Sequence, residues 1–160
     1  KGRPRFLRWQ TMKIVTINKK LLAKFRGDPE VLQKPGRPCV LVIRLKYKGR
    51  NQDFAVPLRS NISASTPKEQ YFPLPPRPAT KPRNRHGLHY IKMFPVTKQH
   101  LVKYRTQGNN LSITIQTVID NNEKRIVREC QSYLSRYETG SHPPFSTDID
   151  YLLSQLYSAP

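Results

Sequence analysis

An unbroken run of five apolar residues, at positions 39–43, is the strongest structural signal in this sequence. The run is rich in β-branched side chains, and residues 44–47 behind it alternate between polar and apolar, as expected of a strand. A turn at residues 48–51 leads into a second apolar segment at residues 54–58. The sequence therefore predicts a β-hairpin whose first strand is fully buried.

Further strand and helix patterns occur on both sides of this hairpin. Strand patterns lie at residues 12–17, 87–96 and 111–115. Helical patterns lie at residues 18–26, 97–104 and 117–138, and in a last segment after residue 146. Asn18 is a candidate N-cap for the first helix, and Ser146 or Thr147 for the last.

The apolar side chains of the two longer helical patterns each form one face. They are Ile126, Val127, Cys130, Leu134 and Tyr137 in the first pattern, and Ile149, Leu152, Leu153 and Leu156 in the second. Gly140 stands where the first of these helices would stop. The sum predicts an α+β fold: a strongly bent antiparallel sheet or small barrel with helices packed outside.

The 160 residues suffice for one domain, and the pattern indicates that it spans residues 12–160. Residues 1–11 precede it as a basic arm or extension without an acidic residue. Cys39 and Cys130 lie in apolar stretches, which favours two reduced core residues over a disulfide. No apolar run approaches the roughly 18 residues that cross a membrane, so we expect a soluble, cytoplasmic protein.

The net charge indicates the class of partner. The chain has 29 basic and 10 acidic residues, a formal net charge of +19. Such a field attracts polyanions, which makes nucleic acid the leading partner and an anionic membrane surface the second. The best helical segment is nearly charge-balanced on its polar side, unlike a membrane-binding helix. The basic residues gather instead in loops and at strand ends, which favours nucleic acid.

A proline-rich stretch, residues 63–86, contains six prolines in 24 positions. Proline removes backbone donors, so the stretch is predicted to be an extended surface loop. It ends in a basic group, Lys81, Arg83, Arg85 and His86.

Several kinds of chemistry lack their sequence motifs. The histidines and acids have no metal-ligand spacing, and a solvated strand end is favoured for His86 and His89 over a metal site. No phosphate-binding glycine loop and no nucleophile-elbow motif is present. One segment stands out, because the apolar residues 54–58 end abruptly in Arg59, Ser60 and Asn61. On composition alone a plain turn is the favoured interpretation of that end.

Four blocks taken together resemble the ToxN/AbiQ/TenpN group of type III toxin–antitoxin toxins, with the TenpN branch nearest. They are Met-Lys-Ile-Val-Thr at 12–16, Phe-Ala-Val-Pro-Leu-Arg-Ser-Asn at 54–61, Gly-Leu-His-Tyr-Ile-Lys at 87–92 and Phe-Ser-Thr at 145–147. The resemblance runs from residue 12 onward in the same order. The Pro-Leu-x-Ser and Gly-Leu-x-Tyr blocks are its more specific parts.

The resemblance implies a compact Kid/MazF-like fold and an endoribonuclease that cuts single-stranded RNA. It implies cleavage without a metal or other cofactor, by attack of a ribose 2′-hydroxyl that leaves a 2′,3′-cyclic phosphate. It also implies inhibition by a small repeated RNA that folds into pseudoknots, in an oligomeric protein–RNA assembly. The substrate would be cellular or phage RNA.

The resemblance also implies which residues carry the chemistry. Ser60 matches the active-site serine and would position the scissile phosphate, while Arg59 can bracket that phosphate bidentately. Lys92 matches a lysine of the Gly-Leu-x-Tyr block, and Arg37 falls near a family lysine. Alternation along a strand would place Tyr90 and Lys92 on one face and His89 on the other, so that Tyr90 is equally a core candidate.

The residues expected to contact RNA form a wider set: Asn61, Lys46, Lys81, Arg83, Arg85, His86, His89 and Tyr90. The related pattern often has a histidine shortly after the serine, where this chain has Ser63, Ala64 and Ser65. Two alternatives stay open at this point, a non-catalytic RNA-binding module and a basic ribosome-associated structural protein.

Overall fold

A computed structural model of the chain describes residues 13–31, 33, 39–103 and 110–158. Its strands are β1 (Ile14–Ile17), β2 (Cys39–Tyr47), β3 (Arg50–Ser63), β4 (Tyr71–Leu74), β5 (Asn84–His89), β6 (Phe94–Val96) and β7 (Leu101–Lys103). Its α-helices are α1 (Lys19–Lys24), α2 (Asn110–Asp120), α3 (Glu123–Glu138) and α4 (Ile149–Leu156). Three short 3₁₀ turns lie at Lys68–Gln70, Tyr90–Lys92 and Lys98–His100.

The described strands form one antiparallel sheet in the order β4-β5-β3-β2-β1-β7, with β6 also paired to β3. The long strand β3 organises this sheet. Its first half pairs with β2, from Tyr47↔Arg50 to Val40↔Pro57, and its second half pairs with β5. The short strand β6 pairs with residues 53–55 of β3. The described sheet is open, so the α+β fold with a bent antiparallel sheet is confirmed, and the barrel alternative is not.

Apolar clusters cover both faces of the sheet. Helix α3 packs on one face through Ile126, Cys130 and Leu134, against Leu41 and Ile43 of β2. Helices α1 and α4 pack on the other, against Val40. The prediction of a buried strand at residues 39–43 is thereby confirmed, because β2 contributes to both clusters.

The ends of three helices follow from local chemistry. The Asn18 side chain accepts a hydrogen bond from the Leu21 amide at 3.0 Å, which confirms Asn18 as an N-cap. Gly140, with φ +106°, follows the end of α3 as predicted. The cap of α4 is Asp148 rather than Ser146 or Thr147. Thr147 is buried, and its hydroxyl donates to the Met93 carbonyl at 2.5 Å, so it bonds to the residue before β6 instead of capping the helix.

Five predictions about secondary structure are wrong, and the first is the strand at residues 87–96, which the 3₁₀ turn Tyr90–Lys92 divides. Residues 111–115 belong to helix α2, because their apolar pattern continues at helical spacing to the buried Ile115 and Ile119 while Ile113 is exposed. Residues 98–103 form a 3₁₀ turn and strand β7, since pairing with β1 outweighs the local helical pattern. The helix predicted at 117–138 is two helices, and Val127 lies on its exposed side. The proline-rich stretch contains strand β4, which tolerates the exposed Pro73 because β4 is an edge strand.

Candidate active site

A β-bulge in β3 displays the serine that the resemblance singles out. Arg59 pairs with Gly87 of β5 and Ile62 pairs with Arg85, so Ser60 and Asn61 together lie opposite one residue. Such a bulge bends the strand and re-aims its side chains. Ser60 is partly exposed, and its hydroxyl makes no hydrogen bond with a described residue. It is therefore free to bind a ligand, and the plain turn favoured by composition is wrong at this point.

The 3₁₀ turn after β5 brings Lys92 back to the same region. The Lys92 ammonium donates to the Glu30 carboxylate at 2.5 Å and to the Phe145 carbonyl at 2.8 Å. Only 10% of its side chain is exposed. Residues Tyr90–Lys92 form a 3₁₀ turn instead of continuing the strand, and the Lys92 charge acts on His89 while Tyr90 bonds to Glu129 in the core. The strand alternation that placed Tyr90 with Lys92 is therefore wrong.

Four side chains lie close enough for their charges to act on one another, and we call them the Arg59–Lys92 cluster: Arg59, His89, Lys92 and Glu30. Burial, followed by the positive charges of Arg59 and Lys92, lowers the pKa of His89 to about 3. Burial also lowers the pKa of Arg59, and the negative charge of Glu30 opposes that shift. His89 is consequently neutral at pH 7, and both of its ring nitrogens are buried without a hydrogen-bond partner. The cluster pairs two cations with one carboxylate.

Asn61 ties the bulge to a basic loop, residues 77–85. The Asn61 Oδ1 atom accepts from the Lys81 amide at 2.8 Å and from the Asn84 side chain at 3.2 Å. Its Nδ2 donates to the Ala79 carbonyl at 3.0 Å. Lys81, Arg83 and Arg85 are exposed along the loop. The side chain predicted to contact RNA therefore holds cationic residues beside Ser60.

Other predicted site residues lie elsewhere. Tyr90 is fully buried and donates to Glu129 at 2.7 Å, so it belongs to the core. His86 is also buried and donates through Nδ1 to the Pro75 carbonyl, and burial is the main cause of its lowered pKa. The solvated strand end predicted for His86 and His89 is wrong, since β4 covers both in the sheet.

One further predicted residue, Lys46, is not brought to the bulge. Lys46 is exposed on β2, six residues from Val40, which pairs with Pro57. At about 3.3 Å per residue this is roughly 20 Å along the strand. Arg37 and the basic arm at residues 1–11 lie outside the described residues.

No sequence pattern indicates a role for two residues of the site, Glu30 and Phe145. Glu30 follows Asp28 and Pro29 in a turn, and no motif distinguishes it from the other nine acids. Phe145 belongs to the Phe-Ser-Thr block, which indicates no contact with Lys92. Its carbonyl contact with Lys92 spans 53 residues, which no local pattern encodes.

Two features of the described residues bear on the class of site. No three His, Cys, Asp or Glu side chains converge there as metal ligands would. None of the helices in that part of the chain has the length and apolarity of a membrane span.

Comparison with known proteins adds a fold. The sequence matches no protein-family model and no curated protein. AbiQ, a lactococcal anti-phage endoribonuclease of a type III toxin–antitoxin system, superposes with a TM-score of 0.71 at 13% identity, over 91% of this chain and 96% of AbiQ. This chain has the AbiQ fold. The fold resemblance predicted from the four sequence blocks is thereby confirmed, and the assignment to the TenpN branch stays a prediction.

Two more solved structures share the AbiQ fold. One comes from a bacterial type III toxin–antitoxin system in which a non-coding RNA pseudoknot selectively inhibits the toxin, with a TM-score of 0.70 and 17% identity over 91% of this chain and 96% of that one. The other comes from a bacterial antiviral system that a processed non-coding RNA regulates, with a TM-score of 0.69 and 17% identity over 89% and 96% of the two chains.

Proposed function

We propose that this protein is an endoribonuclease toxin of the ToxN/AbiQ/TenpN group that cuts single-stranded RNA. The observation that carries the proposal is the free hydroxyl of Ser60, displayed on a bulge directly after the half-buried cation Arg59, within the AbiQ fold. A type III toxin also explains the net charge of +19, because substrate and inhibitor are both polyanions.

The proposed reaction is in-line attack of a ribose 2′-hydroxyl on the adjoining phosphate. The attack builds negative charge on the phosphate oxygens, and prearranged cations and donors lower its barrier. Ser60 donates a hydrogen bond that holds the phosphate in place. Arg59 and Lys92 supply positive charge, and the fork of Arg59 fits two phosphate oxygens at once. The products are a 2′,3′-cyclic phosphate and a 5′-hydroxyl.

Glu30 sets the state of the site before RNA arrives. Its carboxylate contacts Lys92 and lies within electrostatic range of Arg59, so the two cations are partly neutralised. A bound phosphodiester supplies a negative charge to the same cations. We expect phosphate binding to compete with Glu30 for Lys92.

The proposed inhibitor is a repeated pseudoknot RNA, and the basic loop that Asn61 holds in place is its expected contact, together with the Arg59–Lys92 cluster. Many phosphates would be neutralised at once in an oligomeric assembly of protein and RNA. The affinity should therefore fall steeply as salt is raised.

Incubation of the purified protein with unstructured RNA in EDTA tests the catalytic proposal. Discrete cuts ending in cyclic phosphate are expected, and Ser60→Ala should abolish them while retaining RNA binding. Ser132→Ala, at an exposed serine on α3, is the matched control and should cut normally. Intact RNA with the wild-type protein would refute the proposed activity, and a fully active Ser60→Ala would refute the role of Ser60.

A cellular experiment tests the toxin proposal. Induction of the wild-type protein should arrest growth, and co-expression of the repeat RNA encoded beside its gene should restore it. Normal growth during induction would favour a non-catalytic RNA-binding module. Sedimentation with ribosomes in the absence of cleavage would favour a structural protein.

A further inference from the structure

Phe145 is the most exposed large hydrophobic side chain among the described residues. It is 72% exposed, and it lies in the turn between α3 and α4. The next in exposure, Tyr157, has a hydroxyl that bonds to Gln52, whereas a phenyl ring has no polar group that water or protein can satisfy. A single exposed aromatic ring is common on protein surfaces, so what distinguishes Phe145 is its backbone conformation and its contact with Lys92.

The backbone of Phe145 is strained as well as exposed. Its φ is +67°, in the left-handed region that bulky residues avoid and glycine adopts freely. Strain of this kind persists only where the surrounding structure enforces it, and it concentrates at functional sites. A glycine here would relieve the strain but would remove the ring.

Hydrogen bonds on both sides enforce this conformation. The Phe145 carbonyl accepts from the Lys92 ammonium at 2.8 Å. Next along the chain, the Ser146 amide donates to the Pro143 carbonyl at 3.2 Å. The Thr147 amide then donates to the Ile91 carbonyl at 2.9 Å, which anchors the turn to the residue before Lys92. The backbone that carries the ring is therefore held beside Lys92, at the edge of the Arg59–Lys92 cluster.

We infer that Phe145 is a stacking platform for an unpaired base of single-stranded RNA, adjacent to the phosphate that Lys92 and Arg59 bind. The inference rests on the proposed function and adds a subsite to it. In RNA a single ribose joins a base to its neighbouring phosphate, so the two lie close together. The Phe145 ring and the Lys92 ammonium also lie close together, because the ammonium donates to the carbonyl of Phe145 itself. Stacking on an aromatic ring tolerates any base, because every base has a π-face.

The chemistry of the surroundings favours a nucleotide over other occupants of this ring. The cations beside Phe145 suit a phosphate, and the ring itself suits a base. Lys92 and Phe145 are 53 residues apart in the sequence, and the fold places the cation and the aromatic residue next to each other, as a nucleotide requires. An apolar protein segment would have to bury the Glu30 and Lys92 charges next to the ring, which is unfavourable.

The test is a binding cycle between protein and RNA variants. The probe is a short 2′-O-methyl RNA, which cannot be cleaved, spanning a site that the wild-type protein cuts. Its partner has an abasic ribose at either nucleotide flanking the cut. Phe145→Ala should weaken binding of the intact probe by roughly 10- to 100-fold, as expected for loss of one stacked base. It should have little effect on the probe whose abasic position faces residue 145.

Three further substitutions of Phe145 and one control variant sharpen the test. Phe145→Tyr should restore affinity because it keeps the ring, whereas Phe145→Leu should not. Phe145→Gly should bind RNA as weakly as Phe145→Ala yet melt at a higher temperature, since the φ of +67° costs glycine nothing. Tyr157→Ala removes an exposed aromatic residue elsewhere on the surface and should bind normally.

The outcomes separate the two proposals. If the wild-type protein cuts RNA but Phe145→Ala binds both probes as tightly as wild type, the stacking platform is refuted and the nuclease stands. An equal loss on the intact and both abasic probes also refutes stacking, because the ring would then act without a base. If the wild-type protein cuts no RNA, the proposed function fails first and the subsite fails with it.

Discussion

Replacing Glu30 by glutamine should destabilise the protein, because it leaves the charge of Lys92 without its counterion. The pair is close, at 2.5 Å, and asymmetric in exposure, with 10% of the lysine side chain exposed and 29% of the glutamate. Loss of one partner of a fully buried pair costs about 3–5 kcal/mol, and an exposed pair is worth about 0–1 kcal/mol. The partial exposure of Glu30 places the expected loss near 2 kcal/mol in the free energy of unfolding, between those limits.

Thermal unfolding measures this loss. For a chain of this size, about 2 kcal/mol corresponds to a melting temperature lower by roughly 4–8 °C. The substitution keeps the size of the side chain, and the bond from the Glu30 amide to Asp28 is unaffected because it involves only the backbone nitrogen. Lys48→Gln breaks a pair whose side chains are 58% and 52% exposed, and this control should change the melting temperature little.

A double variant identifies the cause. Glu30→Gln combined with Lys92→Met removes both charges, so it should be more stable than the sum of the single changes predicts. Glu30→Gln alone should also bind RNA more tightly, because a carboxylate no longer repels the phosphate. Two results together would contradict this reasoning: an unchanged melting temperature for Glu30→Gln, and a double variant whose stability equals the sum of the single changes. Lys92 would then need no counter-charge from Glu30.

Three further predictions follow from single contacts. Asn61→Ala removes the bonds that hold the basic loop, so it should weaken RNA binding and make the affinity less dependent on salt in anisotropy titrations. Asn51→Ala, at an exposed position on the same strand, should change neither. An equal salt dependence for Asn61→Ala and the wild type would refute the role of the loop. In the unfolded chain His89 binds a proton near pH 6.5, whereas in the folded protein it does so only near pH 3. The free energy of unfolding should therefore decrease as the pH is lowered through that range, by up to about 1.4 kcal/mol per pH unit. His89→Gln should flatten this dependence in urea unfolding, and an unchanged slope would argue against a buried neutral imidazole. Gly87→Ala places a Cβ 2.4 Å from the Phe72 carbonyl and should cost about 1–3 kcal/mol in the same assay; a stable variant would mean that β4 and β5 pack less closely.

Local chemistry explains which parts of the fold the sequence predicted correctly. The run at residues 39–43 has no alternative to burial on both faces, and Asn18 needs only the first turn of its own helix to act as a cap. The strand predicted at residues 111–115 is wrong because the local sequence there does not decide the structure. Five alternating residues fit a strand or a helix equally, and only packing of Ile115 and Ile119 against the sheet decides between them.

The candidate site was predictable only where a motif carries the chemistry. Arg59 and Lys92 were chosen by resemblance, and the structure brings their charges together around His89. Glu30 was not predictable, because its contact with Lys92 joins residues 62 positions apart. The structural role of Asn61 was also not predictable, since a turn 18 to 23 residues away supplies all three of its partners.

The errors at the site share a physical cause, which also explains why the site lies where it does. Strand alternation assumes a regular ladder, and the ladder is broken twice, by the bulge at Ser60 and Asn61 and by the 3₁₀ turn at Tyr90–Lys92. A regular strand would point alternate side chains to opposite faces, into the two apolar clusters that cover the sheet. Each irregularity removes a polar side chain from that alternating pattern. The proposed site thus lies where the regular strand pattern fails, as expected when regular structure is given up to present reactive groups.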